Sequence, residues 1–533
     1  MKLSDKGLQS PDWKEKGYSL FNYDREALKK RTHDEPIWVH FGAGNIFRGF
    51  PARLQQELVE QGLSDKGIIV GEGFDYEIIS DIYNKYDNLT LLVTLHADGS
   101  IDKNVVGTVT EAYPCDYEEA YWNRFSEIFR APSLQMISFT ITEKGYALKN
   151  PAGEFMPGYV KDFAEGPGKC TMFLSRLTEL LYMRYKAGEL PLAVVSMDNC
   201  SHNGEKIEAA ITTIAAEWVK NGFVEQGFSD YLSSSKVSFP WSMIDKITPR
   251  PDASVAEMLS ADGYEDTNVV VTSKHTYIAS FVNAEECEYL VIEDDFPNGR
   301  PQLEKAGVYF TSRETVNKVE KMKVCTCLNP LHTALAVFGC LLGYTLISKE
   351  MKDEDLVKLV KTIGYTEGLP VVINPGIIDP KKFIDEVVNI RIPNPFMPDT
   401  PQRIATDTSQ KLSIRFGETI KAYIASPELD VKSLKCIPLV FAAWLRYVMG
   451  VDDEGKAFEP SADPLLEYAR EAVKGIELGY SGSLEQLHDI LSNQKIFGVD
   501  LYEAGLADLV LDYFRSMIAG PHAVRATLKK VVG

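Results

Sequence analysis

From Pro36 onward the apolar positions fall into blocks that switch between two periods. IWVHFGAG at 37–44, GIIVGEGF at 67–74 and LTLLVTL at 89–95 are short, nearly continuous apolar runs, the mark of buried strands. Between them, PARLQQELVEQG at 51–62 and YEIISDIYNKY at 76–86 repeat apolar residues at helical spacing. This βαβ alternation predicts a parallel sheet. MISFTIT at 136–142 and LAVVSMDN at 192–199 read as later strands of the same sheet, with a Leu- and Arg-rich helix near 171–187 between them.

After about residue 290 the character changes. DEDLVKLVKTIGYTEG, SLKCIPLVFAAWLRYVMG, DPLLEYAREAVKGIE and LADLVLDYFRSMIAG carry helical spacing with few strand-like runs between them. The expected fold class is α/β, a Rossmann-type N-terminal domain followed by a mainly α-helical C-terminal domain. The pattern divides the chain into a polar N-terminal arm at 1–35, an α/β domain at 36–300 and a mainly helical domain at 301–533.

Composition narrows the function. With 533 residues, 45% of them hydrophobic, the chain can bury large cores, and its net charge of −20 opposes nucleic acid and anionic membrane as partners. The eight cysteines are scattered, and the one close pair, Cys325 and Cys327, has neither zinc-site nor thioredoxin-like spacing. No metal is expected. The N-terminus has no apolar leader and no run reaches membrane-spanning length. A cytoplasmic protein is expected, a monomer or weak homo-oligomer, whose partner is a small molecule.

Two segments carry chemistry. Gly42-Ala43-Gly44-Asn45-Ile46-Phe47-Arg48-Gly49 follows the first strand and opens a helix, where glycines let the backbone approach a pyrophosphate. Phe47 stands where the usual third glycine would be. Glu72 or Asp75, at the end of the second strand, is placed to take ribose hydroxyls and favour NAD over NADP. The second segment runs from Glu320 to His332, with Lys321, Lys323 and Asn329 inside it, beside the apolar run at 333–347. A lysine becomes a useful base when its ammonium is desolvated, which such a wall supplies. Asn329 and Pro330 also suit an ordinary helix start.

With these pieces in place the chain resembles the polyol-specific long-chain dehydrogenases, a family that includes mannitol, fructuronate and tagaturonate enzymes. The resemblance spans about residues 36–520 and is most specific in VSFPWSMIDKITP at 237–249, where Ile244 and Lys246 replace the usual Val and Arg. It extends to the loop through Arg48, to TEKGY at 142–146, to SMDN at 196–199 with Asn203 and Gly204, and to RIATDTSQK at 403–411. The resemblance implies Lys323 as general acid/base, with Asn199, Asn329 and His332 around the reacting oxygen; Glu320 is either a proton relay for that lysine or one half of a surface ion pair with a neighbouring lysine. The family places four residues between that lysine and the asparagine; here five intervene, so either a bulge or a tighter turn absorbs one and leaves Lys323 as the base, or Lys321 is recruited, or the site is altered.

The resemblance further implies that Arg403 and Lys411 face the substrate chain; Asp245 and Lys246 either line the site or play a purely structural part. Arg403, Lys411 and Lys246 form a cation set suited to a carboxylate. The expected reaction is therefore NAD-dependent, metal-independent interconversion of D-mannonate and D-fructuronate. The alternatives are mannitol with fructose, or tagaturonate reduction. Two readings from other classes are a Schiff-base aldolase and a sugar or nucleotide sensor that has lost turnover through the inserted residue.

Overall fold

The structure is a computed structural model that describes every residue except Pro398. Two compact units divide the chain, Met1–Asn317 and Lys318–Gly533. In the first, strands β1 (Trp38–Phe41), β2 (Ile68–Glu72), β3 (Thr90–Leu95), β4 (Ile101–Val106), β5 (Val109–Pro114), β6 (Met136–Phe139), β7 (Leu192–Ser196), β8 (Val237–Ser238) and β9 (Ser242–Asp245) follow in chain order. Six of them form one parallel sheet in the order β5-β2-β1-β6-β7-β8. β1, β2, β6 and β7 are buried along their whole length, as expected of strands covered on both faces. Their side chains join those of helices Glu119–Arg130, Phe173–Lys186 and Asn203–Lys220 in one apolar core around Phe41, Phe125, Phe139, Leu177, Ile211 and Trp218.

One expectation is corrected. The LTLLVTL run is a strand, but it does not extend the main sheet: β3 pairs antiparallel with β4 and parallel with Phe281–Glu285 in a second, three-stranded sheet. Its place beside β2 belongs to β5. The 76–86 segment is helical, but wound as a π turn at Ile79–Tyr83 and a 3-10 turn at Asn84–Tyr86.

The N-terminal arm is built into this unit. Trp13, Tyr18 and Leu3 are buried, Ser19 bridges Asn104, and the buried Arg25 guanidinium donates to the carbonyls of Gly107 and Val109 at 2.8 and 3.0 Å.

The second unit is helical; among the described residues the named strands all lie in the first. Helix Cys436–Val448 is buried at every position and packs on Ala507–Met517, while Asn329–Leu341 is buried from Thr333 through Leu341. The helical run Arg313–Leu341 is long and apolar enough to cross a membrane, but 78% of its apolar window is buried inside the protein, the behaviour of a core helix. Among the described residues four π turns interrupt this unit, at Lys323–Cys327, Thr362–Gly368, Val387–Arg391 and Ser413–Gly417. Such turns are rare and concentrate at functional sites.

Glu350 is fully buried against Gly339, and neither carboxylate oxygen has a hydrogen-bond partner among the described residues. Burial, then Asp353, pushes its carboxyl up to about 9 from 4.5. Between those values the folded chain holds a proton that the unfolded chain releases, so stability falls as pH rises through that window and levels off above it. Glu350→Gln should flatten this dependence and raise the melting temperature at pH 8, a gain of roughly a few kcal/mol. Melting curves from pH 5 to 9 on both proteins check it.

Candidate active site

The glycine loop leaves β1 as the fingerprint requires. Gly42 has φ +104°, and a Cβ there would lie 2.6 Å from the Thr140 carbonyl oxygen, so only glycine fits. A Cβ on Gly44 would meet nothing within 4 Å, leaving open space where the chain enters helix Asn45–Gly49. The first N–H groups of that helix lack intrahelical acceptors, so the loop fits a dinucleotide pyrophosphate. The role of the absent third glycine passes to Gly49, whose Cβ would stand 3.1 Å from Val282 Cγ1 at the second sheet. Phe47 is buried and stacks on His40 with ring centroids 3.9 Å apart.

Arg48 is engaged by core acceptors. It is 1% exposed, and its guanidinium donates to Thr90 Oγ1 at 3.1 Å, the Ser280 carbonyl at 3.1 Å and Asn45 Oδ1 at 3.4 Å. Gly42, Gly44, Asn45 and Ile46 remain accessible in part. Glu72 sits at the end of β2, where its oxygens accept from the N–H groups of Ala43, Phe74 and Asp75 at 2.7, 2.8 and 3.1 Å. It ties the second strand to the glycine loop. Desolvation raises its carboxyl above the ordinary value against the pull of those three donors. Asp75 accepts from Thr272 Oγ1 at 2.7 Å, and its other carboxylate oxygen is buried without a partner among the described residues.

Asn199 is exposed in the loop after β7, at the carboxyl end of a parallel strand, where open sheets carry ligands. The motif residues around it form its scaffold. Asp198 accepts from the Tyr146 hydroxyl and from the Cys200 N–H at 3.1 Å. Asn203 donates to the Asp198 carbonyl and to Ser242 Oγ, each at 3.1 Å, and accepts from the Ser242 N–H at 3.0 Å. The TEKGY, SMDN and VSFPWS motifs are thus one connected network.

Asp245 is buried at the end of β9, opposite Tyr289. Lys246 is 6% exposed, and its ammonium donates to the Glu285 carbonyl at 2.6 Å and the Glu288 carboxylate at 2.9 Å. Its charge is neutralised within the first unit, which removes it from the cation set suggested for a carboxylate.

In the second unit the inserted residue has a local structure. Helix Arg313–Met322 widens into the π turn Lys323–Cys327, closed by the Leu328 N–H donating to the Lys323 carbonyl at 3.1 Å, five residues back. In a regular helix one extra residue would turn all that follows by about 100°; the wide turn absorbs it. Asn329 and His332 then open helix Asn329–Leu341 with Pro330 in its first turn. Lys323, Asn329, His332 and Glu320 are half-buried, whereas Lys321 is exposed on a surface groove with Ile414 and Glu418. Lys321 therefore lacks the desolvation a base requires.

His332 is pushed down to about 4, by loss of hydration first. Asp399 opposes this, while Arg391, Arg415 and Arg403 reinforce it. Its imidazole is neutral at pH 7 and can both donate and accept. Arg403 is 72% exposed and held by a two-pronged ion pair to Asp399, at 2.7 and 2.6 Å. Lys411 donates to the carbonyls of Ile404 and Thr406, and burial, then Arg415, lowers its ammonium below the ordinary value.

Sequence reasoning missed Arg415, four residues beyond Lys411 and so one turn along, whose Nη1 donates to Thr333 Oγ1 at 2.5 Å. It also passed over Arg391 and Asp399 near His332, and His40 beneath Phe47.

Comparison with known proteins bears on this arrangement. The Mannitol dehydrogenase Rossmann domain model matches residues 36–305, and the Mannitol dehydrogenase C-terminal domain model matches residues 315–516. The chain belongs to the mannitol dehydrogenase family. It is an oxidoreductase. Among the family's members, D-mannonate oxidoreductase of Thermotoga maritima is 53% identical over 524 residues, covering 98% of this chain and 97% of that one. A mannitol 2-dehydrogenase of Phaeosphaeria nodorum is 28% identical, covering 94% and 80%. The structure of Pseudomonas fluorescens mannitol 2-dehydrogenase with NAD and D-mannitol superposes with a TM-score of 0.70 at 25% identity, over 99% of each chain.

The two loop glycines of this family member should fail differently. Gly44→Ala should fold with an unchanged melting temperature and lose roughly tenfold or more in NADH affinity, because its Cβ enters only the open space over the loop. Gly42→Ala should lose about 1–3 kcal/mol of stability as well. NADH titration with thermal melting of each variant separates the two effects.

Proposed function

We propose that this mannitol dehydrogenase family member interconverts a six-carbon sugar acid and its keto form, D-mannonate and D-fructuronate, using NAD. The observation that carries the choice of substrate is the near-full-length identity of 53% to a protein named D-mannonate oxidoreductase. The cation-rich surroundings of His332 suit a carboxylate. The glycine loop, with Glu72 and Asp75 at the end of β2, is the proposed cofactor site. When bound, the nicotinamide supplies the hydride acceptor or donor.

Lys323 takes the hydroxyl proton in oxidation and returns it in reduction. Asn199 and Asn329 donate hydrogen bonds to the oxygen as negative charge develops on it. Neutral His332 orients that oxygen or a neighbouring hydroxyl, and Glu320, one turn before Lys323, relays the proton to solvent. Side chains thus supply both the base and the oxyanion donors, with no metal in the scheme. Arg403 and Lys411 border the substrate chain. The eight free cysteines suit the reducing cytoplasm, where we place the reaction.

The test is NADH consumption by the purified enzyme with fructuronate, tagaturonate and fructose in parallel, and NADPH as control. Faster reduction of fructuronate with NADH is expected. Preference for fructose would make the enzyme a mannitol dehydrogenase, and preference for tagaturonate would move it to the epimeric sugar acid. Lys323→Ala should lose roughly 100-fold or more in turnover while retaining NADH binding. Near-normal turnover in that variant would remove Lys323 from the role.

A further inference from the structure

Burying a guanidinium is costly unless its N–H donors are satisfied. Three fully buried arginines of this protein obey that rule. Arg184 donates to five backbone carbonyls, Arg446 to three, and Arg48 to a hydroxyl, an amide oxygen and a carbonyl. Arg415 does not. Its one hydrogen bond among the described residues is Nη1 to Thr333 Oγ1, and no carboxylate pairs with it.

Its place is as telling as its lack of partners. Thr333 follows His332 on helix Asn329–Leu341, and its hydroxyl donates in turn to the Asn329 carbonyl at 3.0 Å. Arg415 is thereby joined through one side chain to the segment that holds Asn329 and His332. Its π turn, Ser413–Gly417, packs against the π turn that begins at Lys323. Arg403 is already matched to Asp399, and Lys411 is turned toward backbone carbonyls. The uncompensated guanidinium of this cluster is Arg415. None of its nitrogens is among the fully enclosed, unpartnered atoms, so the free donors remain reachable.

We propose that Arg415 receives the carboxylate of the sugar-acid substrate through two parallel N–H donors, and so distinguishes sugar acids from neutral polyols in this enzyme. The inference rests on the sugar-acid reading above. A planar fork matches a carboxylate in two-pronged geometry, and Thr333 holds the fork by one prong while leaving the others free. Burial alone holds the guanidinium down at about 10, with no acidic neighbour offsetting it. An incoming carboxylate supplies the missing charge. The ion pair between Arg403 and Asp399 then forms a neutral border, not the anchor.

The test compares kcat/KM with NADH on fructuronate and on fructose, which differ at the chain end by a carboxylate against a hydroxymethyl. Arg415→Gln should lose roughly 30-fold or more on fructuronate, mainly through KM, and its loss on fructose should be roughly tenfold smaller. Arg403→Gln should lose less than Arg415→Gln on the sugar acid. Guanidinium ion added to Arg415→Ala should restore part of the fructuronate activity, and NADH binding by each variant verifies folding. If Arg415→Gln does not fold, Arg415→Lys takes its place: it keeps the charge without the fork and should lose on fructuronate selectively. Equal losses on the two ketoses, or a larger loss in Arg403→Gln, would overturn the assignment while leaving wild-type preference for fructuronate intact. A wild-type enzyme that prefers fructose would overturn the sugar-acid reading and this assignment together.

Discussion

The wide turn at Lys323–Cys327 is the constraint on which the second unit's site depends. One residue too many separates Lys323 from Asn329, and in a continuous α-helix that residue would carry Asn329 and His332 about 100° away from the face of the lysine. The five-residue hydrogen bond from the Leu328 N–H to the Lys323 carbonyl lets the extra residue bulge while the helices on either side keep their phase. The same device recurs where the cations are: Arg391 closes the π turn Val387–Arg391, and Arg415 lies inside Ser413–Gly417. Such turns exchange regular helix for a choice of where a side chain points.

The first unit obeys a different economy. Its distinctive sequence motifs are mostly fasteners. Tyr146, Asp198, Asn203 and Ser242 come from three separate motifs and form one hydrogen-bonded network whose product is the position of the loop bearing Asn199. Glu72 does the same for the glycine loop by holding the Ala43 N–H, while the Tyr83 hydroxyl holds the Ala43 carbonyl at 3.1 Å. A loop fixed from both sides meets a dinucleotide with little ordering left to do, which is how preorganisation adds affinity.

Strands β1, β2, β6 and β7 were legible because continuous apolar runs report burial directly. β3 was legible as a strand but not as a member of its sheet, since alternation records which faces are buried and not which neighbour pairs. β5, with Thr110 and Glu111 inside it, was not singled out from the pattern at all. Charges were the least legible. Arg48 and Lys246 look like ligand-binding cations in sequence, yet one is absorbed by core acceptors and the other by Glu285 and Glu288. Arg415 attracted no notice, although one helical turn separates it from Lys411; a cation declares its role through its partners, and partners are a property of the fold.

The account's central claim is that a sugar acid binds with its carboxylate at the cation cluster and its carbinol oxygen at Lys323. The crystal structure of the enzyme with NAD and D-mannonate measures this most directly. The account predicts the carboxylate on the Arg415 guanidinium and the carbinol oxygen within hydrogen-bond distance of Lys323 Nζ and the Asn329 amide. A carboxylate left in solvent, or a carbinol oxygen held away from Lys323, would contradict it.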